Sequence, residues 1–294
     1  TRGPQMKTQE LTIDRHMGYA FDFKVRELKN EPTLQYIRDS WLMAMAEMDS
    51  EQRATWEAIY DKKNEEFLKN PPVGKDLLRW KYQRYVKEYC RTIRSVDEQV
   101  GRLLDYLEEK GVLDNTVIVY TSDQGFLLGE HGLYDKRFMY EESFRTPLII
   151  SCPSLVKKHS VCKELVQNID LAPTFLSLAG VEVPKEMSGR SLLPLFKNGK
   201  AENWRNELYY HFYDYPAVGS VRKHDGIRTK RYKLIHWYGE GSGNDEAIDF
   251  WELYDLKKDV MEVNNVYDNP KYVKVREALT VQLEKLRKDV GVTE

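Results

Sequence analysis

The stretch from Val117 to Pro153 constrains this chain more than any other. A β-branched apolar run, Val117-Ile118-Val119-Tyr120, stops at Thr121-Ser122-Asp123-Gln124-Gly125. A glycine-punctuated charged segment follows: Leu128-Gly129-Glu130-His131-Gly132-Leu133-Tyr134-Asp135-Lys136-Arg137. Then comes a second apolar run, Thr146-Pro147-Leu148-Ile149-Ile150-Ser151-Cys152-Pro153. Short apolar runs of this kind read as buried parallel strands. Strand, polar loop, strand is how open α/β sheets build sites, with ligands off the carboxyl ends of the strands. The Asp123 carboxylate and the Gln124 amide carbonyl are oxygen donors of the kind calcium takes. Lys136, a short loop away, offers a compact positive charge for an anion. Taken alone, Asp123 reads equally well as a turn cap, and Lys136 as a solvated loop lysine.

The rest of the chain supplies the frame. Residues from about Pro32 to Lys110 read as helical. Ile93, Val96, Val100, Leu103, Leu104 and Leu107 form one apolar stripe of a helix that Gly111 terminates. Ser50 to Lys69, with nine charged residues, reads as an exposed helical insertion within about 28–75. Asp170 is placed to cap a helix running to Ala179, with Gly180 as its stop. From about Asn203 the texture changes. Leu208 to Tyr213, Gly226 to Thr229, Tyr232 to Trp237 and Trp251 to Leu256 predict short strands, and Tyr272 to Lys288 a closing helix. Gly239 to Asp245 reads as a flexible loop. The expected fold class is α/β, with residues 1–200 forming an α/β portion. Residues 201–294 form a small α+β subdomain of one antiparallel sheet and one helix.

Composition narrows the function classes. With 45 Lys and Arg against 47 Asp and Glu, the chain has no global basic field of the kind that marks nucleic-acid binding. No run of 18 apolar residues occurs, so no membrane-spanning helix is expected. Three cysteines, Cys90, Cys152 and Cys162, do not make a disulfide framework; Cys152 and Cys162 are open to pairing or to remaining thiols.

The same residues carry a resemblance. Ser122-Asp123-Gln124-Gly125, Gly129-Glu130-His131-Gly132, Asp135-Lys136-Arg137 and the segment from Glu142 to Pro147 resemble the second metal-binding segment of type I, formylglycine-dependent sulfatases. The arrangement is most similar to the N-acetylglucosamine-6-sulfatase branch, which acts on glycosaminoglycans. Val96 to Leu104, Asp170-Leu171-Ala172-Pro173-Thr174, Gly189-Arg190-Ser191-Leu192-Leu193-Pro194 and Trp251 to Leu256 resemble further segments of that family in order. The resemblance implies an alkaline-phosphatase-like sheet sandwiched by helices. It implies one calcium ion held partly by Asp123 and Gln124, and Lys136 against the sulfate. A sulfated carbohydrate is the implied substrate, and an extracytoplasmic location follows from the family alone. Asp135, Arg137, Arg222 and His224 are the expected substrate contacts; His131 and Arg145 are expected to support the site from behind. Gln124 stands where the wider family has Asn or His, but still offers a carbonyl oxygen.

What the sequence lacks shapes the mechanism expected of it. Ser151-Cys152-Pro153-Ser154-Leu155 looks like a formylglycine motif, but it has no Arg and follows the metal segment instead of preceding it. The formylglycine, the paired aspartates and a Pro-His pair are expected upstream of Thr1, in a missing N-terminal half. The chain by itself is therefore expected to be inactive. Two rivals remain at this point. One is a phosphatase or phosphodiesterase of the same superfamily, which would need a zinc pair and more histidines. The other is a non-catalytic remnant that binds sulfated glycans.

Overall fold

Local sequence explains the helical half. The structure, a computed structural model, describes residues 3–6, 12–14, 16–25, 35–216, 218–241 and 246–292. The region expected to be helical forms three helices: α1 (Gln35–Glu47), α2 (Ser50–Lys69) and α3 (Gly74–Glu109). Pro32 to Leu34, where the helical stretch was expected to begin, lie outside the described residues, as do Ser242 to Asp245 of the expected flexible loop. Asp49 starts α2 by accepting from the backbone N–H of Glu51 and Gln52, and the Gln52 side chain reciprocates. That capping box satisfies donors a helix start leaves open. The expected exposed insertion is only half exposed, because α2 buries Trp56, Tyr60, Asn64 and Phe67 at helical spacing.

The chain divides into two compact units. One comprises residues 9–103 and 127–135; the other comprises 1–8, 104–126 and 136–294. In the first, Ile13, Phe23, Val25, Phe67 and Tyr134 form the core. Phe67 stacks on Trp80 at 4.1 Å between centroids. Lys81 is buried there because its ammonium finds the carbonyls of Ile13 at 3.2 Å and Asp14 at 3.3 Å, and lies over the Tyr19 ring. Strands β2 (Leu127–Leu128) and β3 (Tyr134–Asp135) pair antiparallel in the same unit. The apolar stripe on α3 is not a buried face, since Ile93, Val96 and Leu103 are 46–56% exposed.

The second unit holds β1 (Ile118–Thr121), the one-turn helix α4 (Glu141–Phe144), β4 (Leu148–Ser151), α5 (Leu171–Leu178) and α6 (Leu193–Phe196). It ends in a four-stranded sheet and α7 (Val273–Asp289). The sheet strands are β5 (Glu207–Phe212), β6 (His224–Thr229), β7 (Tyr232–Gly239) and β8 (Ile248–Asp255), in that order. Here one expectation is corrected. β1 and β4 are not buried parallel strands: they pair with each other antiparallel, Ile118 opposite Ser151 and Thr121 opposite Leu148. A parallel pair needs a long crossover, usually a helix of several turns, whereas this connection carries only the one-turn α4 and a short 3-10 turn at Glu130–Gly132. Apolar β-branched residues suit either direction. A second correction concerns Asp170. It does not cap α5; buried completely, it accepts from the backbone N–H of Gln167 and Arg190, at 2.8 Å each, and pairs with Arg205. Gly180 does end α5, in the left-handed region.

The C-terminal sheet matches the expected α+β arrangement. One face carries Ile227, Leu234 and Leu253 against Leu279 and Leu283 of α7, all nearly or fully buried. Each such side chain stabilises by about 1.5–3 kcal/mol through burial. Side chains alternate across a strand, so Lys233, Ile235 and Trp237 face the other way. That second face lies on the segment Phe138-Met139-Tyr140. Trp237 meets Phe138 at 6.3 Å between centroids, and Lys233 donates to the Met139 carbonyl at 2.6 Å. Glu252 is buried beside them and accepts from Tyr140, Trp237 and Gln5 at 3.1, 3.0 and 2.8 Å. Burial raises its pKa and outweighs these donors, which pull the other way.

Candidate active-site cleft

The end of β1 turns sharply, and the turn is built by its own polar groups. The Ser122 hydroxyl donates to the Gln124 carbonyl at 2.8 Å, and the Asp123 Oδ1 accepts from the Gln124 N–H at 3.0 Å. Asn168 clamps the turn from outside, its Nδ2 donating to the carbonyls of Ser122 at 3.1 Å and Asp123 at 3.0 Å. Gly125 then passes so close to α4 that a Cβ there would lie 2.2 Å from the Glu142 carbonyl oxygen and 2.7 Å from that of Arg145. Its N–H donates to the Ser143 carbonyl at 2.8 Å. The result presents the Asp123 side chain, exposed and without an ion-pair partner among the described residues, next to Gln124.

Lys136 is held differently. The residues on either side of it, Asp135 at φ 96° and Arg137 at φ 88°, both lie in the left-handed region. Neither is glycine, and each such conformation costs on the order of 1–3 kcal/mol, so surrounding contacts must enforce it. The C-terminal sheet supplies them on one side. The Tyr210 hydroxyl donates to the Arg137 carbonyl at 3.0 Å, and Lys233 donates to the Met139 carbonyl. Burial pushes the Tyr210 phenol above its ordinary range, so it remains a donor. Glu141 receives Lys233 at 2.9 Å and Arg228 at 3.2 Å, and its N–H donates to Glu262 at 2.6 Å. Burial alone would raise the Glu141 pKa; Lys233 and Arg228 outweigh it and leave the pKa lowered.

The structure brings five of the sequence-derived residues to one cleft of about 1680 Å³. Asp123, Gln124, Lys136, Arg137 and Arg145 all line it. Four others are not among its lining residues. Asp135 lies in β3, opposite Leu127, and His131 in the loop between β2 and β3 at φ 56°. Arg222 and His224, expected at the substrate, are buried at 2% and 0% exposure. Arg222 donates to the Tyr215 hydroxyl at 2.8 Å. The His224 ring stacks on Trp237 at 4.0 Å, and its Nδ1 lies 2.8 Å from the Arg222 carbonyl. Burial drives the His224 pKa down to about 4, so the ring is neutral near pH 7. The pleat explains His224, which lies opposite Trp237 and packs inward, while Arg222, just before the strand, is drawn in by the Tyr215 hydroxyl and ring. Sequence reasoning missed Asn168, whose only signal is its position two residues before Asp170. It also missed Tyr210, Lys233 and Glu262, which no local pattern marks.

A calcium site can be tested against these donors. Asp123 and Gln124 are hard oxygen ligands of the right kind, but calcium takes six to eight oxygens. Among the described residues no group of three or more His, Cys, Asp or Glu side chains could hold a metal ion. The pair therefore fits part of a calcium shell and not a whole one. The formylglycine-like segment is likewise set aside by its surroundings: Cys152 is buried, with Sγ 3.4 Å from the Ser154 hydroxyl.

Comparison with known proteins gives the context. Residues 129–289 match the family described as N-sulphoglucosamine sulphohydrolase, C-terminal, and residues 39–181 match the sulfatase family. An N-acetylglucosamine-6-O-sulfatase of Bacteroides thetaiotaomicron is 45% identical over 98% of this chain and 50% of its own length. The human N-acetylglucosamine-6-sulfatase is 40% identical over 42% of this chain and 22% of its own length. A solved structure in complex with its substrate D-glucosamine-2-N,6-O-disulfate superposes with a TM-score of 0.88 and 43% identity. That superposition covers 100% of this chain and 58% of the other. A phosphonate monoester hydrolase of Agrobacterium radiobacter is more distant, at 26% identity and a TM-score of 0.55 over 72% of this chain and 42% of the other. The chain spans about half the length, or less, of the curated relatives it matches.

Proposed function

The chain belongs to the sulfatase family, and from that premise we propose that it supplies part of the active site of an enzyme that removes sulfate from a sulfated sugar. The substrate we assign is 6-O-sulfated N-acetylglucosamine within a glycosaminoglycan, which follows the names of the relatives. One observation carries the reading. Lys136, fixed between two left-handed residues, shares a cleft with the Asp123–Gln124 oxygen pair.

The roles follow from charge and placement. Lys136 binds a sulfate oxygen and opposes the charge that grows there as the ester bond breaks; fixed cations do this best where water is sparse. Arg137, on the same cleft, orients the sulfate or a neighbouring sugar hydroxyl. Asp123 and Gln124 would hold one side of a calcium ion, which would supply Lewis-acid polarisation of the sulfate. Arg145, exposed at the end of α4, supports the loop beside that carboxylate. Asp135 and His131 belong to the connecting loop and are proposed to shape it. The formylglycine nucleophile and the remaining metal oxygens are assigned to the part of the family's length that this chain does not span. We read residues 1–200 as the catalytic portion and 201–294 as the subdomain that backs it. No described helix is long and apolar enough to cross a membrane. From the family alone we place the protein outside the cytoplasm, as a periplasmic, secreted or lysosomal-type enzyme.

The test uses the full-length protein that contains this chain. Lys136→Ala should lower kcat/KM on 6-O-sulfated N-acetylglucosamine by roughly 10²–10³-fold, the usual effect of deleting one charge-stabilising group. The 294-residue chain alone should give no turnover. An unchanged rate for the variant, or turnover by the isolated chain, would sink the assignment, as would a bound zinc pair in place of calcium.

A further inference from the structure

Lys136 and the Asp123–Gln124 pair line one cleft, yet the covalent path between them does not fix their spacing. Residues 127–135 of that path belong to the other compact unit. Within the unit that holds both groups, one buried residue ties them together. Ser143, in α4, is 4% exposed. Its carbonyl accepts from the Gly125 N–H at 2.8 Å, directly after the oxygen pair. Its Oγ accepts from the Phe138 N–H at 3.2 Å, two residues after Lys136. Its own N–H donates to the Tyr140 carbonyl at 3.0 Å, which closes the turn between Phe138 and α4. A buried serine that satisfies a nearby N–H is commonplace. Ser143 differs in that its two acceptor groups lead to the two halves of the site.

The bond to Phe138 acts where the backbone is strained. Arg137 lies at φ 88°, a conformation that a residue other than glycine keeps only under constraint. The peptide group that follows, from Arg137 to Phe138, is gripped at both ends. The Tyr210 hydroxyl donates to its carbonyl at 3.0 Å, and the Ser143 Oγ receives its N–H. The Tyr210 ring meets the Phe144 ring of α4 edge to face, 5.4 Å between centroids. Gly226, opposite Tyr210 in the sheet, leaves room for Met139: a Cβ there would lie 2.5 Å from the Met139 Sδ. A peptide plane held at both polar ends resists rotation. The direction in which the chain runs back to Lys136 is then held as well.

We propose that Ser143 is a positioning residue for sulfate removal: it sets Lys136 against the Asp123–Gln124 pair, while Tyr210 holds the same peptide from the other side. This rests on the sulfatase reading of those three site residues. A fixed cation stabilises developing charge when its geometry is set in advance. A misplacement of about 1 Å can cost on the order of a hundredfold in rate. Ser143 acts through Lys136 and not by contact with the substrate.

The experiment is a double-mutant cycle in the full-length protein, with 6-O-sulfated N-acetylglucosamine as substrate. Ser143→Ala should lower kcat by roughly ten- to a hundredfold. Calcium affinity should not change, because the backbone carbonyl that receives the Gly125 N–H remains. In a Lys136→Ala background the same substitution should cost less than about twofold, since the group it positions is gone. Effects that multiply in the double variant overturn the proposal. An unchanged kcat for Ser143→Ala overturns it too, as does a loss of calcium affinity as large as the loss of rate. If Ser143→Ala does not fold, Tyr210→Phe frees the other end of the same peptide and takes its place in the cycle, with the same outcomes for and against. The Lys136 reading is decided separately. An unchanged rate for Lys136→Ala alone sinks that reading, whereas a reduced rate there beside multiplying effects sinks only the role of Ser143.

Discussion

Beneath the C-terminal sheet, Lys233 is fully buried, 2.7 Å from Glu262 and 2.9 Å from Glu141. Around the cleft, Asp123 and Lys157, Lys158 and Lys163 are exposed and make no ion pair among the described residues. The two sets of charges obey different physics. A buried ion loses its hydration and persists only with a partner, so its contacts say little about ligands. Its effect on the site is indirect: the Lys233 network fixes the backbone from Met139 to Glu141, next to Lys136 and Arg137. Exposed ions bear no such cost. They keep their water, and their placement is free to follow function instead of internal pairing.

The largest effect that would break this contrast is at Lys233. Lys233→Met should destabilise the chain by about 3–5 kcal/mol, because Glu262 is left buried without its cation and Glu141 keeps only Arg228. Urea denaturation reads this directly, and a loss below about 1 kcal/mol would mean the pair is not buried in the way described. His224 comes next. Its folded pKa, about 4, lies below the unfolded value near 6.5, so the unfolded chain binds more protons between them. Stability is then fully present above pH 6.5 and falls as pH drops toward 4, by on the order of 2–3 kcal/mol. Glu141, with its pKa lowered, adds its own loss only below the ordinary carboxylate range. His224→Phe should flatten the upper part of this acid limb in denaturation curves taken across that window; an unchanged slope would mean the ring is hydrated. The smallest effect is at Asp123, where Ala should change stability by no more than about 0.5 kcal/mol. Metal analysis of the full-length protein should nevertheless show weaker calcium retention for that variant.

How much of this was legible in the sequence varied with what each pattern encodes. Tyr232 to Trp237 alternates strongly enough to show a strand, and the sheet and α7 appeared where expected. β1 and β4 were legible as strands but not in direction, because Val, Ile and Leu suit either pairing. Asp123, Gln124 and Lys136 were singled out by the resemblance of the segments around them to a family motif, since local pattern alone left them open to reading as ordinary turn and loop residues. His224 could not be placed: which face of β6 it occupies depends on register with β7, a long-range property. Asn168, Tyr210 and Glu262 act through contacts across 45, 73 and 121 residues of sequence, and no local pattern reports such pairings. Asp170 misled for a related reason. A carboxylate before a helix suggests a cap, but Arg205, 35 residues on, claims it.

Gly125 has a consequence for how this sequence can diverge. The position directly after the oxygen pair admits no side chain while the Glu142 and Arg145 carbonyls stay where they are. Two positions earlier Asp123 faces solvent, and among the described residues its side chain accepts only from Ser122 and Gln124 of its own turn. The two positions thus drift under opposite rules. Asp123 is held by chemistry and by weak, exposed hydrogen bonds of its own turn, which another residue can forgo at little cost once that chemistry is abandoned. Gly125 is held by backbone geometry, and in a descendant that has lost all activity it remains glycine for as long as the turn survives.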